Sequence, residues 1–201
     1  MSIKIFQLIE GAKQATGLAV IIDVFRAFTV EAYLVNNGVQ KLIPVGNKQI
    51  AYDYKEKHKD CILIGERRGI MLEGFDYGNS PTQIEKIDFS GKTVVHTTSS
   101  GTQGIANTQN AKEILTGSLV NAKAIAEYIK SLLEGENPNL DKEIEELKNI
   151  AGKRFFDPKL QNIFPERDFY LSTELNKFNF VLKVEKDDIG LNYIKKINVE
   201  Q

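Results

Sequence analysis

Polar groups able to do chemistry stand where apolar runs stop. Asp23 directly follows "LAVII", with Arg26 and Thr29 just after it. Glu66, Arg67 and Arg68 follow "CILIG", and "TVV" runs into "HTTSSGTQG" (96–104). A carboxylate placed straight after a buried run is costly unless it is capped, paired or holding a metal. Asp23 therefore reads three ways: as a helix cap, as a partner for Arg26, or as an oxygen ligand for a hard cation. The stretch Thr98, Ser99, Ser100, Gly101, Thr102 opens a helix with small donors. Unpaired N–H groups and the helix dipole there favour an anion, and Gly101 lets a ligand approach the backbone. The competing reading is a plain N-cap, because Ser and Thr are favoured caps. Arg26 offers a planar fork suited to phosphate or sulfonate, or is a solvated helix arginine. Glu66, Arg67 and Arg68 can equally form an exposed charge cluster, and "YGNSP" (77–81) can be only a turn.

Other chemistries find no support. The phosphate-binding pattern G-x-x-x-x-G-K-[ST], the dinucleotide pattern G-x-G-x-x-G and the nucleophile elbow G-x-S-x-G are all absent. His58 and His96 lie on separate elements without a partner at metal-site spacing, so His96 is expected to pack or bond locally. Cys61 opens a strand and reads as a buried, inert thiol. Phe25, Phe28 and Tyr33 read as core.

The elements that must position these groups alternate. Strands are predicted at 17–23, 41–45, 61–65, 93–97, 113–117 and 178–184. Helices are predicted at 24–38, 47–58, from about Gly101, 118–135, 139–153 and 164–175. Residues 66–81 read mostly as loop. This rhythm predicts an α/β fold, a layered mostly parallel or mixed sheet with helices on both faces, plus a smaller C-terminal α+β lobe. A soft boundary at "GENPN" divides a main lobe, 1–135, from a C-terminal lobe, 136–201. In open α/β sheets, ligands bind beyond the carboxyl ends of the strands, where the polar groups above are expected.

Bulk properties narrow the class. The 201 residues carry a formal net charge of −1, with no clustered basic surface of the kind nucleic acid requires. No apolar run reaches membrane-spanning length, and no signal-peptide pattern opens the chain. A single cysteine fits a reducing compartment. The expectation is a cytoplasmic globular protein that binds neither nucleic acid nor membrane.

Four blocks in one order, "IIDVFRAFT" (21–29), "GERRGIMLEGFDYGNSP" (65–81), "TVVHTTSSGTQG" (93–104) and "LTGSLVNAKAIAEYI" (115–129), resemble the 2-phosphosulfolactate phosphatase family, the ComB-like proteins. The resemblance covers about residues 17–129. It implies a Mg²⁺-dependent phosphatase that hydrolyses 2-phosphosulfolactate to sulfolactate and phosphate, a step toward coenzyme M. It implies catalytic roles for Asp23, Arg26 and Arg67, and metal ligation by Asp23 and Glu66. Asn79, Ser80, Thr98, Ser99, Ser100, Gly101, Thr102 and Asn121 would bind a small substrate bearing phosphate, sulfonate and carboxylate. A homodimer is left open. The chain departs from the family pattern after Ile129. An apolar strand, a glycine turn and an acidic pair usually follow; here the chain runs into "KSLLEGENPNLDKEIEEL". Binding with poor turnover is therefore expected, unless a second subunit or the 139–153 helix fills the gap. Two alternatives are a non-catalytic anion-binding relative and, more weakly, a structural domain whose loops are merely capped.

Overall fold

The computed structural model describes residues 3–132 and 152–199. The chain forms an α/β fold around one mixed sheet of eight strands. In chain order these are β1 (Gly17–Ile22), β2 (Lys41–Pro44), β3 (Ile62–Arg67), β4 (Ile70–Met71), β5 (Thr93–Thr97), β6 (Ala111–Gly117), β7 (Phe180–Lys186) and β8 (Asn192–Asn198). The helices are α1 (Leu8–Ala12), α2 (Ala27–Asn36), α3 (Lys48–Lys57), α4 (Pro81–Ile84), α5 (Gly101–Asn107), α6 (Ala122–Leu132) and α7 (Glu166–Thr173).

Alternation along the strands assigns the two faces. Leu42, Ile64, Val94 and Leu182 face α2, α4 and α7, where they meet Phe28, Leu34, Ile84 and Leu171. Their neighbours Ile43, Leu63 and Val95 pack under α3 against Ala51 and Tyr52. Leu115 and Val181 pack under α6 against Ala124 and Ile125. Helix α2 lies at the centre, with every residue from Ala27 to Leu34 buried. A helix apolar nearly all round must be enclosed in this way. Glu31, in the middle of that run, is the exception taken up below.

The strand order is β1-β6-β7-β8-β2-β5-β3-β4. β7 and β8 pair antiparallel with each other and join β6 to β2, so both C-terminal strands lie inside the one sheet. The boundary expected at 135–139 and most of the helix expected at 139–153 lie outside the described residues. β8, α1, the short β4 within 66–81 and the short α4 that starts at its end are additions to the predicted elements. The turn between β3 and β4 has Arg68 and Gly69 at positive φ (55° and 84°), as a type I′ hairpin requires.

This order has a consequence for the strand tips. β1 and β6 are parallel, as are β2, β5 and β3, but two antiparallel strands and three antiparallel pairings separate the groups. In a flat sheet their carboxyl ends would point opposite ways. The right-handed strand twist, roughly 20–25° per step, turns β3 through a large part of a half-circle relative to β1. Helix α5 leaves the tip of β5 and packs on β1, where a Cβ on Gly104 would come within 2.7 Å of Ile21. Gly101 thereby reaches Asp23.

Candidate active site at the strand tips

Asp23 stands one residue past β1, partly buried, with its N–H bonded to the Gly117 carbonyl of β6 (3.1 Å). Its Oδ1 accepts a long hydrogen bond from the Ala27 N–H (3.3 Å) at the start of α2. Its Oδ2 would lie 3.0 Å from a Cβ on Gly101, and that Cβ would also come within 2.5 Å of the Ala27 methyl. Glycine is thus needed at 101 because a side chain would strike Ala27 and Asp23. Burial pushes the Asp23 carboxyl up to about 6; the Ala27 amide and His96 pull it down, and the charges of Glu66 and Glu31 push it further up. Asp23 does not pair with Arg26. It caps weakly and keeps Oδ2 without a hydrogen-bond partner among the described residues.

Glu66 and Arg67 are neighbours on β3, so they point to opposite faces of the sheet. Glu66 is buried on the α2 face. Its Oε1 accepts the Ser99 N–H (2.6 Å); its Oε2 accepts the Ser99 hydroxyl (3.0 Å) and the Gly69 N–H (2.7 Å). The carboxylate thus ties the β3–β4 hairpin to the loop that opens α5, and it is no exposed charge cluster. Arg67 lies on the α3 face. It donates to the carbonyls of Glu66 (2.6 Å) and Gly46 (3.0 Å) and to the Thr97 hydroxyl (2.9 Å). With Lys48, Gln103 and Ala106 it lines a groove of about 560 Å³.

The hydroxyl-rich loop divides its donors. The Ser99 N–H goes to Glu66, and the Ser99 hydroxyl also accepts from the Arg68 N–H (2.9 Å). Thr98 and Thr102 cap each other: the Thr102 N–H donates to the Thr98 hydroxyl (3.1 Å) and the Thr98 N–H to the Thr102 hydroxyl (2.8 Å). The N–H groups of Ser100 and Gly101 have no acceptor among the described residues, and Gly101 lies against Asp23. The capping reading of this loop therefore holds for the two threonines, and the donors at 100 and 101 are not used by it.

Arg26 is buried and committed. Its Nη1 donates to Asp168 Oδ2 (2.6 Å) and to the Ile163 carbonyl (3.0 Å). The fully buried Asp168 also accepts the Ser80 hydroxyl (2.8 Å) and the Thr82 N–H (2.9 Å) through Oδ1. Ser80 is thus bonded within this knot. Asn79 is bonded below α2: its Oδ1 meets His96 Nε2 (3.3 Å), His96 Nδ1 meets Glu31 (3.1 Å), and the Thr116 hydroxyl donates to Glu31 (3.3 Å). His96 bonds locally, as expected. Asn121 is fully buried; its amide closes the β6 turn, with Oδ1 accepting from the Ser118 N–H (3.0 Å) and Nδ2 donating to the Thr116 carbonyl (3.4 Å). Cys61 is buried, and burial raises its thiol, as suits an inert one.

The structure therefore brings together Asp23, Glu66, Ser99, Ser100 and Gly101. It sets Asn79, Ser80 and Asn121 into supporting bonds and turns Arg67 to the far face. Asp168, Glu31 and Arg154 were missed by sequence reasoning. Glu31 carries a local signal, a lone acid inside "AFTVEAYLV"; Asp168 carries none, since its partners Arg26, Ser80 and Thr82 lie 142, 88 and 86 residues away, and Arg154 carries none, since only folding brings its rings to the strand tips. No group of three or more His, Cys, Asp or Glu poised for a metal occurs among the described residues. Asp23 and Glu66 still suit Mg²⁺ in kind. Both supply carboxylate oxygens, Asp23 has one without a hydrogen-bond partner among the described residues, and burial together with the charges of Glu66 and Glu31 raises the Asp23 carboxyl in a way a cation would relieve. Mg²⁺ commonly takes one or two carboxylates and completes its shell with water and substrate oxygens.

The fold and these tips define an α/β protein with partly unsatisfied acid and amide groups gathered beyond its strands. The chain belongs to the 2-phosphosulpholactate phosphatase family, whose model matches residues 3–135. It is 41% identical over 125 residues to a probable 2-phosphosulfolactate phosphatase of Clostridium acetobutylicum, covering 62% of this chain and 53% of that protein. A protein of the same description from Clostridium tetani is 43% identical over 114 residues, covering 56% and 49%. One from Bacillus subtilis is 28% identical over 218 residues, covering 93% and 95%. The chain thus spans about half the length of these two clostridial relatives. No helix among the described residues is long and apolar enough to cross a membrane.

Proposed function

We propose that this chain is a Mg²⁺-dependent phosphatase acting on small acidic phosphomonoesters, with 2-phosphosulfolactate as the substrate and coenzyme M synthesis in the cytoplasm as the setting. The observation that carries this reading is the juxtaposition of the Asp23 carboxylate with the open N–H groups of Ser100 and Gly101. Asp23 and Glu66 would hold the cation. When bound, the cation supplies charge neutralisation at phosphate oxygens and a more acidic water.

The chain's own residues do the rest. The amides of Ser100 and Gly101 donate to phosphate oxygens, and they are fixed in place by the Thr98–Thr102 cap and the Glu66–Ser99 bonds. At neutral pH an acid with a midpoint near 6 is mainly ionised, so Asp23 offers a carboxylate to a cation or a proton acceptor to water. Arg26, paired with Asp168, ties the C-terminal segment to the start of α2 behind the site. Arg67 holds the tips of β2, β3 and β5 in register from the far face.

The test is phosphate release from 2-phosphosulfolactate with and without Mg²⁺, by the parent chain and by Asp23→Asn. Release that needs both Mg²⁺ and Asp23 is the expected result. Phosphate binding with no release would replace this reading with an anion-binding relative that has lost turnover. Release unaffected by chelation and by Asp23→Asn would overturn the assignment of the site.

A further inference from the structure

The C-terminal segment brings a second guanidinium to the strand tips. Arg154 lies in the 3-10 turn Lys153–Phe156, next to the fully buried Phe155. The Phe155 ring packs on Phe25 (5.2 Å between centroids) and Phe164 (5.7 Å), so the backbone at 154 is anchored while the Arg154 side chain stays exposed. The Arg154 guanidinium carbon lies 5.0 Å from the Phe164 centroid and 5.6 Å from that of Phe155. Arg26 uses the same rings, at 4.8 and 5.8 Å. Two guanidinium groups therefore share one aromatic pair, and Asp168 neutralises only Arg26.

Phe164 also fixes where this pair sits. A Cβ on Gly69 would come within 2.5 Å of the Phe164 ring, so the ring presses on the β3–β4 hairpin. The Gly69 N–H is the one held by Glu66. Arg154 is thus seated beside the loop that carries Glu66 and close to Asp23. Among the five arginines, Arg26, Arg67 and Arg167 spend their guanidinium donors on Asp168 and the Ile163 carbonyl, on three oxygens at the strand tips, and on both oxygens of Glu85. The guanidinium groups of Arg68, exposed at the hairpin tip, and of Arg154 have no hydrogen-bond acceptor among the described residues, and of these two Arg154 is the one held against aromatic rings.

We propose that Arg154 binds the second acidic group of the substrate, the carboxylate or sulfonate borne beside the phosphate, while the Ser100 and Gly101 amides take the phosphate. This rests on the phosphatase reading above and adds to it a residue that selects for diacidic phosphomonoesters over simple ones. A fork held over a ring suits a planar carboxylate or a sulfonate face. Partial desolvation against the rings and the nearby Arg26 charge lower the Arg154 guanidinium, while the charges of Asp23 and Glu66 act the other way, which places Arg154 within reach of both acids.

The test uses calorimetric binding of two probes in Mg²⁺, sulfolactate and inorganic phosphate, to the parent, Arg154→Gln and Arg154→Lys. Sulfolactate carries both acidic groups and no phosphate. Arg154→Gln should weaken sulfolactate binding about ten- to a hundredfold, the loss of a charge-assisted pair, and leave phosphate binding within about twofold. Arg154→Lys should recover part of the loss, since it restores the charge without the fork. Thermal unfolding of both variants should match the parent, because the side chain is exposed. Unchanged sulfolactate binding in Arg154→Gln would overturn the inference, and so would an equal loss for both probes. A parent that binds neither probe would instead overturn the phosphatase reading, and this inference with it.

Discussion

Two carboxylates near the strand tips are treated in opposite ways. Asp168 is fully buried and accepts hydrogen bonds from Arg26, Ser80 and the Thr82 N–H, all at 2.6–2.9 Å. Asp23 is only partly buried, accepts one long bond from the Ala27 N–H at 3.3 Å, and has its carboxyl pushed up to about 6. Asp168 is saturated and holds the C-terminal segment to the rest of the fold. Asp23 is left short of partners in a place where a partner could be supplied from outside. The residue with the most complete set of bonds is therefore the structural one, and the less satisfied one is the candidate for chemistry.

The sharpest way to break this contrast is to remove the saturated acid. Asp168→Ala leaves the buried Arg26 guanidinium unpaired and the Ser80 hydroxyl and Thr82 N–H without acceptors. A loss of about 3–5 kcal/mol is expected in urea unfolding, enough to threaten the fold. A loss below about 1 kcal/mol would mean that Asp168 is not the anchor.

Next in size is Gly101. In Gly101→Val the new Cβ would meet Ala27 and Asp23 before any anion. The variant should lose about 1–3 kcal/mol by overpacking, and its anion binding should fall because the loop shifts. Thermal unfolding alongside phosphate titration checks both.

Asp23→Asn should act with the opposite sign. A folded-state midpoint of about 6 against 3.8 unfolded means that the native state binds the proton more tightly. The parent therefore loses stability as pH rises from about 4 to 6, and the loss persists above that range. Without Mg²⁺, Asp23→Asn should be more stable than the parent by about 3 kcal/mol at pH 8, with the gap closing below pH 4. Unfolding curves at pH 8 and pH 4 measure it. Equal stabilities at pH 8 would remove the claim that Asp23 is strained by burial.

The smallest effect is expected at Arg67. Its bonds are to carbonyls and a hydroxyl on the far face, so Arg67→Gln should cost about 1 kcal/mol and leave Mg²⁺ affinity within about twofold of the parent. A larger loss of Mg²⁺ affinity than in Asp23→Asn would move the site to the α3 face.

Legibility in the sequence followed locality. The strands β1, β2, β3, β5 and β6 and the helices α2, α3, α5 and α6 were read within a few residues because each carries its own period and end signals. Asp23 and the 98–102 loop were found because a polar group directly after an apolar run is visible in one dimension. The interior placement of β7 and β8 was not, since pairing order is a property of the whole sheet. Glu66 and Arg67 looked like one cluster in the sequence, and only strand alternation around a bound Ser99 separated their roles. Asp168 and Arg154 were invisible because each acquires its meaning from Phe164, Arg26 and the hairpin, all brought together by folding.

The most direct measurement is the carboxyl ¹³C titration of Asp23 by NMR, with and without saturating Mg²⁺. The expected midpoint is about 6 in the free chain, falling well below that when Mg²⁺ is present, with the Asp168 signal unmoved by the cation. A free-chain midpoint near the ordinary 3.8, or a midpoint near 6 that Mg²⁺ does not shift, would contradict the assignment of Asp23 as the unsatisfied acid awaiting a cation.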